Sequence, residues 1–329
     1  MSQKMIDLIG VGSPILDILA RVDDEFLKEN VSGAKGGMEL VDSASIGQMI
    51  AKIVGPLVQA PGGSAANAVV GAQRLGLRTS FLGKVGNDAT ASFYTQGFQS
   101  IGSNTSRFKI GETANGRCLS LVTSDSQRTM RTDLGAAMTL SPDEVSAEDF
   151  ADCRHAHIEG YQLFNPALMQ KTLASASAAG CSISLDLASF EVVNAVGDTL
   201  AKILKNDVTI VFANEDEGAV FTGLKDDYEA MALELGKLCE IAVVKIGKDG
   251  AWIANQGRLI RVKPIWVEKA VDTTGAGDLW AGGFLYGWLK GFPLEECGKI
   301  GSLLGSEVVQ VMGASIPEER WKAIREVVG

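Results

Sequence analysis

A short run of small residues followed by a carboxylate, Gly275-Ala276-Gly277-Asp278, is the part of this sequence best suited to chemistry. Residues 279–289 are almost all apolar, which predicts a buried helix that begins at this run. The first N–H groups of a helix lack intrahelical partners, so Gly275, Ala276 and Gly277 are predicted to form an anion hole. Asp278 is then placed to accept a proton from a hydroxyl that attacks phosphorus. The alternative is a plain helix cap beside closely packed glycines.

A second group of polar residues, nearer the N-terminus, suits a polyol ligand. Gly62 and Gly63 precede a helix of small residues that contains Asn67, whose amide both donates and accepts hydrogen bonds. Asp17 interrupts an apolar run, and a carboxylate there needs hydrogen-bond partners such as the vicinal hydroxyls of a sugar. An ordinary loop with a closely packed helix, and a surface aspartate, are the alternatives.

A third group follows the apolar strand predicted at 208–212. Glu217 is predicted to hold hydrated Mg²⁺ beside a nucleotide, and Asn214 to contact phosphate oxygens. A capping box at the start of a helix would use the same two residues. A dinucleotide fingerprint at Gly10 and Gly12 is rejected, because Ile15 stands where its third glycine is required.

Composition excludes several classes of function. The formal net charge is −10 and no cluster of Lys and Arg offsets it, which argues against binding to nucleic acid. No apolar run reaches the ~18 residues that span a bilayer, and the N-terminus lacks a signal-peptide pattern, so the expected location is the cytoplasm, away from membranes. Five scattered cysteines indicate neither a disulfide framework nor a zinc site.

The surrounding pattern predicts an α/β fold that positions these residues. Apolar strands alternate with helical segments, as expected of a mostly parallel sheet, whose ligands bind at the carboxyl ends of the strands. Three further strand-like segments of mixed character are predicted to form a small separate sheet. The predicted strands are 5–12, 181–187, 208–212 and 240–246 in the main sheet and 15–22, 116–122 and 128–133 in the small one; the predicted helices are 166–179, 190–204, 226–238, 275–290, 294–311 and 317–328.

Three segments together resemble a known family. GGSAANAVVGAQRLGLRTSFLGKVGND at 62–88, ANEDE at 213–217 and DTTGAGDLWAGGFLYG at 272–287 are similar to signatures of the ribokinase-like, or PfkB, family of carbohydrate and nucleoside kinases. The opening at 10–42 is closest to the adenosine kinase branch. The resemblance implies a three-layer α/β/α fold with a mostly parallel central sheet and a small β-sheet lid. The large domain is expected at 1–12, 46–104 and 136–329, and the lid at 13–45 and 105–135.

The resemblance also implies an activity, which is ATP-dependent transfer of the γ-phosphoryl group to a primary hydroxyl, with adenosine converted to AMP. A sugar kinase acting on ribose, fructose or 2-keto-3-deoxygluconate is one alternative, and a non-catalytic nucleoside-binding regulator is another. Mg²⁺ is the expected cofactor, K⁺ is a further candidate, and a homodimer through the lid is expected to cover open sheet edges.

Roles for single residues follow from the same resemblance. Asp278 is the expected base, and the anion hole is Gly275 to Gly277. Apart from the resemblance, Leu16, Met38, Leu134 and Phe164 are apolar residues available to flank a purine, with the hydrophobic core as their alternative place. The remaining expected contacts are Asp17, Gly62, Gly63, Asn67 and Arg131 to the acceptor, Asn214, Glu217, Gly247 and Thr274 to the nucleotide, Glu217 to Mg²⁺ through water, and Asp272 and Thr274 to a monovalent cation near the backbone of 309–314.

Overall fold

The strands form two separate sheets in residues 5–125 and 127–329, the part of the chain that the computed structural model describes. Residues 1–4 and 126, which belong to the predicted ranges 1–12 and 105–135, lie outside the described residues. The strands are β1 (Ile6–Val11), β2 (Ile15–Arg21), β3 (Met38–Leu40), β4 (Val58–Gly62), β5 (Thr79–Val85), β6 (Phe108–Ile110), β7 (Asn115–Val122), β8 (Arg128–Gly135), β9 (Cys153–Glu159), β10 (Ser182–Asp186), β11 (Ile210–Asn214), β12 (Ile241–Lys245), β13 (Ala251–Asn255) and β14 (Arg258–Val262).

The large sheet has the order β14-β13-β12-β11-β10-β9-β1-β5-β6. Its strands from β12 to β6 run parallel, and β13 and β14 continue the sheet antiparallel at one edge. Because neighbouring parallel strands end at the same edge, the residues at their carboxyl ends come together.

Helices cover both faces of the large sheet. Phe212 and Val243 point to one core, and their neighbours Val211 and Val244 point to the other, as the two-residue period of a strand requires. No helix in the described part of the chain is long and apolar enough to cross a membrane. The helices are α1 (Asp24–Asn30), α2 (Ser43–Lys52), α3 (Ser64–Arg74), α4 (Ala89–Ser100), α5 (Pro166–Ala178), α6 (Phe190–Val196), α7 (Asp198–Asp207), α8 (Glu215–Thr222), α9 (Tyr228–Leu235), α10 (Ala276–Leu289), α11 (Leu294–Val308) and α12 (Glu318–Val328).

The predicted strands and helices match the observed ones to within three residues at each end, and two of the differences need an explanation. The strand predicted at 208–212 is β11, which ends at Asn214, so this residue both closes a strand and caps α8. The helix predicted at 190–204 is two helices, because Gly197 has φ of 45° and ends α6 there.

The small sheet has the order β3-β8-β7-β2-β4. One of its faces carries Leu16 and Leu119, which pack with Leu27 of α1 and Ile46 of α2. The opposite face carries Asp17, which the strand register aligns with Cys118 and Thr132. Strand β4 falls within the range 46–104 predicted for the large domain, yet it pairs with β2 of the small sheet. The division of the chain into two domains stays a prediction.

Candidate active site

The first turn of α10 begins at Ala276, directly after a tight turn at Gly275. Gly275 has φ of 72°, and a Cβ on it would lie 2.5 Å from Cβ of Ala314, so both conformation and space require glycine. The N–H of Ala276 donates to the carbonyl of Thr273 at 3.2 Å, whereas the next N–H groups of this first turn have no acceptor within the helix. The start of α10 is thus where the sequence predicts it, and the anion hole at Gly275 to Gly277 stays a prediction.

Asp278 lies in the same first turn and is held by two side chains from α3. Its Oδ1 accepts a hydrogen bond from Oγ of Ser64 at 3.0 Å, and its Oδ2 accepts one from Nδ2 of Asn67 at 2.9 Å. Gly63, with φ of 100°, forms the N-cap of α3. The structure thus brings Asn67 to the predicted base and places Gly63 directly before Ser64. Asn67 orients the carboxylate of Asp278, a contact that sequence reasoning did not foresee.

Burial raises the pKa of Asp278 to about 6. The hydrogen bond from Asn67 and the charge of Lys245 oppose this shift, whereas the charge of Asp186 adds to it. A carboxyl group with this pKa is ionised at neutral pH and still basic enough to accept a proton in a transition state.

The raised pKa of Asp278 predicts an acid limb in the rate. Because a general base acts only when unprotonated, kcat at saturating acceptor, where Asp17 is already engaged by the acceptor's hydroxyls, is expected to fall about tenfold for each pH unit below the pKa of about 6. Asn67→Ala removes a hydrogen bond that favours the ionised form, so its limb is expected at higher pH. A pH–rate profile measures both midpoints, and a limb near 4 in both proteins would contradict the assignment.

Polar side chains end four neighbouring strands at the same edge. Glu159, Asp186, Asn214 and Lys245 close β9, β10, β11 and β12, and the register pairs Asp186 with Glu159 and Asn214 with Lys245. Sequence reasoning gave no role to Glu159, Asp186 or Lys245. The signal was clear for Lys245, which ends the otherwise apolar strand β12, and weaker for Glu159 and Asp186, whose strands contain further polar residues.

Asn214 and Glu217 form a reciprocal capping box at the start of α8. Oε2 of Glu217 accepts from the backbone N–H of Asn214 and Oε1 from its Nδ2, both at 2.8 Å, while Oδ1 of Asn214 accepts from the N–H of Glu217 at 2.8 Å. Burial and the charge of Asp186 raise the pKa of Glu217 to about 7. The capping box that was the alternative to a nucleotide site is therefore present at Asn214 and Glu217. The role of Glu217 in binding magnesium stays a prediction. Gly247 follows β12 at the same edge of the sheet.

Asp17 reaches the site from the small sheet. A Cβ on Gly62 would lie 2.2 Å from Oδ2 of Asp17, which places this carboxylate directly against the end of β4, just before α3. Burial, and next the charge of Asp278, raise the pKa of Asp17 to about 7, while the charge of Arg128 opposes the shift. The two carboxylates thus belong to one site, with the small sheet on one side and α10 on the other.

Asp272 connects the turn before the anion hole to the loop after α11. Its Oδ1 accepts from the N–H of Thr274 at 2.9 Å and from Oγ1 at 2.7 Å, and its Oδ2 accepts from the N–H of Gly313 at 2.8 Å. Arg128 of β8 adds a hydrogen bond of 2.5 Å to Oγ1 of Thr274, and its Nε lies 3.4 Å from Oδ1 of Asp272. The residues predicted to surround a monovalent cation are together, and the cation itself stays a prediction.

Arg131 does not reach the site. It lies three residues beyond Arg128 on β8, so its side chain points to the opposite face of the small sheet. It is 1% exposed and donates to the carbonyls of Met130 at 2.7 Å, Gly37 at 3.3 Å and Ser32. Its predicted contact with the acceptor is corrected to a packing role within the small sheet, and Arg128 is the arginine that points toward the anion-hole turn.

Glu159 is a charged residue held inside the protein. It is 2% exposed, and its Oε1 accepts from the N–H of Ser13 at 2.8 Å. Burial raises its pKa from the ordinary 4.5 to about 7 despite this bond. Because the pKa of Glu159 is higher in the folded than in the unfolded protein, the folded state binds its proton more tightly. The free energy of unfolding therefore falls as pH rises from about 4.5 to about 7.

Glu159→Gln is therefore expected to stabilise the protein more at pH 8 than at pH 5. The difference should be about 1–3 kcal/mol, because a shift of one pKa unit corresponds to roughly 1.4 kcal/mol. Tm measured by calorimetry at both pH values tests this, with the exposed Glu148→Gln as the control. Equal changes in Tm at the two pH values would contradict a buried charge at Glu159.

Comparison with known proteins agrees with this geometry. Residues 41–321 match the pfkB family carbohydrate kinases. The chain belongs to the PfkB family. An uncharacterized sugar kinase of Archaeoglobus fulgidus is 32% identical over 74% of this chain and 96% of its own length. Adenosine kinase of Saccharomyces cerevisiae is 29% identical over 95% of this chain and 97% of its own. The crystal structure of adenosine kinase from Sinorhizobium meliloti has a TM-score of 0.88 and 31% identity, covering 98% of this chain and 99% of that one.

Membership of the PfkB family confirms several predictions. The fold is the ribokinase-like α/β fold, with a large, mostly parallel sheet and a smaller separate sheet. The protein is a phosphotransferase with an alcohol group as acceptor. Kinases of this PfkB family use ATP, generally with Mg²⁺.

Proposed function

We propose that this PfkB kinase transfers the γ-phosphoryl group of ATP to the 5′-hydroxyl of adenosine, giving AMP. The observation that carries this proposal is the position of Asp278, which lies in the first turn of α10 and accepts a hydrogen bond from Ser64, two residues after the Gly62 that lies against Asp17. In the proposed reaction the hydroxyl oxygen bonds to phosphorus, and the bond from phosphorus to the bridging oxygen breaks. The electron pair leaves with ADP, and the hydroxyl proton moves to Asp278.

Each chemical requirement of this transfer has a residue. The N–H groups at Gly275 to Gly277 stabilise the equatorial oxygens of the transferred group, which carry the developing charge. Ser64 and Asn67 hold Asp278 in position through their hydrogen bonds. Asp17 holds the vicinal hydroxyls of the ribose, because an ionised carboxylate accepts two hydrogen bonds at once.

A carboxylate beside the sheet edge fits a magnesium ion. Mg²⁺ prefers oxygen ligands and keeps several waters while it binds one or two carboxylates and substrate phosphates. Glu217 provides such oxygens, and the charge of Asp186 helps to raise the pKa of Glu217, a repulsion that a nearby cation relieves. Glu217 would hold the ion through water. When bound, it neutralises charge on the phosphates of ATP.

The choice of a nucleoside as acceptor is supported by exposed apolar side chains on the Asp17 face of the small sheet and just beyond the carboxyl end of β9. Met38 lies on the Asp17 face of the small sheet and is 43% exposed, and Phe164, just after β9, is 59% exposed. Leu134 lies on the same face and is half-buried. Leu16 cannot serve this purpose, because it points into the core beneath α1 and α2. Such side chains suit a purine, whose ring is apolar on both sides.

The names of similar proteins support both a nucleoside and a sugar as acceptor. The Saccharomyces cerevisiae and Sinorhizobium meliloti proteins are adenosine kinases, which favours adenosine. The Archaeoglobus fulgidus protein is named a sugar kinase, which favours ribose, fructose or 2-keto-3-deoxygluconate as the second candidate.

The deciding experiment measures ADP formation from Mg·ATP with adenosine, other nucleosides, ribose, fructose and 2-keto-3-deoxygluconate, each with and without K⁺. Selective turnover of adenosine supports the proposal, and turnover of a free sugar alone moves the acceptor to the sugar class. Binding of adenosine with no turnover of any compound would favour a non-catalytic regulator.

A dimer through the small sheet is a separate proposal. Light scattering coupled to size-exclusion chromatography tests it by measuring the mass of the protein in solution.

A further inference from the structure

Lys245 and Asp186 form an ion pair at the carboxyl edge of the large sheet. Lys245 closes β12 and Asp186 closes β10, and Nζ of Lys245 lies 2.8 Å from Oδ2 of Asp186. Only 12% of the lysine side chain and 7% of the aspartate side chain are exposed. Nζ also lies 5.9 Å from the centroid of the Phe212 ring. The ammonium group therefore has a defined position, unlike that of a surface lysine.

This ammonium group lies against the anion hole. A Cβ on Gly277 would be 3.0 Å from Nζ of Lys245, so the charge faces the first turn of α10 across the space of a missing side chain. The N-terminal end of a helix carries partial positive charge and repels a cation. Asp186 offsets this repulsion in the ligand-free protein, and a bound phosphate would offset it more completely, because it would lie between the two positive groups.

The hydrogen bonds of Lys245 are incomplete. An ammonium group has three N–H donors, and within residues 5–125 and 127–329 its side-chain acceptor is Asp186. Two donors are left for a ligand. Burial alone would lower the pKa of Lys245, but the charges of Asp186 and Glu217 hold it above its ordinary value, so the group stays charged at neutral pH.

We propose that Lys245 is a further catalytic residue, which donates a hydrogen bond to a non-bridging oxygen of the γ-phosphoryl group of ATP, and that Asp186 is its positioning residue. Lys245 keeps its proton throughout, while the acceptor's proton goes to Asp278. Its charge strengthens the anion hole as negative charge develops on the transferred group. The proposal rests on the use of ATP and is independent of which alcohol accepts the phosphoryl group.

The test compares the affinities of Mg·ATP and Mg·ADP by calorimetry, without any acceptor. Lys245→Met keeps the length of the side chain and removes its charge. Its ratio of ATP affinity to ADP affinity is expected to fall at least fivefold, the effect of losing a hydrogen bond to a charged group. Lys237→Met, which removes an exposed lysine, is the matched control and should leave the ratio unchanged. A fall of less than fivefold in Lys245→Met overturns the proposal.

A double variant separates this role from a purely structural one. Lys245→Met leaves the buried carboxylate of Asp186 unpaired, and this cost lowers Tm. In the double variant Asp186→Asn with Lys245→Met, neither member of the ion pair is charged. Tm is therefore expected to recover, while the ratio of ATP affinity to ADP affinity stays low. Recovery of the ratio together with Tm would show that the pair only holds the fold. If Lys245→Met alone does not fold, the double variant provides the measurement.

Turnover gives a second readout once an acceptor is known. In the double variant kcat is expected to fall roughly 10²–10³-fold, as when a donor to a developing charge is removed. A kcat within threefold of the unmodified protein would overturn the catalytic role. Because the binding ratio needs no acceptor, failure to find turnover with adenosine leaves that first test intact.

Discussion

Asp278→Asn is expected to lower kcat roughly 10²–10⁴-fold, the usual contribution of a general base. The amide has nearly the same size as the carboxyl group, so it can still lie between Ser64 and Asn67, but it cannot accept a proton from the attacking hydroxyl. The affinity for Mg·ATP should change less than threefold, because the N–H groups of the first turn remain. Steady-state kinetics and calorimetry on the same preparation measure both quantities.

Two controls make the Asp278 result specific. Asp198→Asn changes an exposed aspartate at the start of α7 and should leave kcat unaltered. The acid limb near pH 6 should also disappear in Asp278→Asn, because the group that titrates is gone. A variant that keeps kcat within tenfold of the unmodified protein, with its acid limb intact, would remove Asp278 from the role of base.

The elements around the site that match their predictions are those with local signals. The turn at Gly275 and the apolar helix after it are adjacent in sequence, so the start of α10 could be placed within one residue. The capping pattern of Asn214 and Glu217 is equally local. Strand β4 escaped prediction because Pro61 and Gly62 are unusual in strands; it is tolerated at the edge of the small sheet.

The parts that were missed depend on contacts distant in sequence. Lys245 and Asp186 are 59 residues apart, and only the order of the large sheet brings their strands to either side of β11. The prediction of Arg131 where Arg128 reaches the site has a different cause. The two-residue period separates them onto opposite faces of β8, but which face meets α10 is decided by how the two sheets pack.

The site that results has an excess of buried negative charge. Burial raises the pKa of Asp17, Glu159 and Glu217 to about 7 and that of Asp278 to about 6. This arrangement is costly in the ligand-free protein, because buried carboxylates lose hydration. Binding of a cation and of hydroxyl donors relieves this cost. The buried carboxylates that destabilise the folded protein are therefore the ones that favour binding of a polyhydroxylated acceptor and of the magnesium ion of Mg·ATP.

Asp17→Ala is expected to have the second largest effect, a fall of roughly 10²–10³-fold in kcat/KM for the acceptor. Two hydrogen bonds from the acceptor's hydroxyls to an ionised carboxylate would be lost, each worth about 1.5–3 kcal/mol, and part of this loss is regained by interaction with water. The affinity for Mg·ATP should be unchanged. Asp24→Ala, an exposed aspartate of α1, is the control for the small sheet.

Deoxynucleosides show whether Asp17 acts on the hydroxyls themselves. In the unmodified protein, adenosine should exceed its 2′- and 3′-deoxy forms in kcat/KM, because each lacks one donor to Asp17. In Asp17→Ala the three compounds should react at nearly equal rates, since two changes that remove the same interaction are not additive. If the variant still discriminates against the deoxy forms as strongly as the unmodified protein does, the hydroxyls are held by another residue and Asp17 acts through the packing of the small sheet.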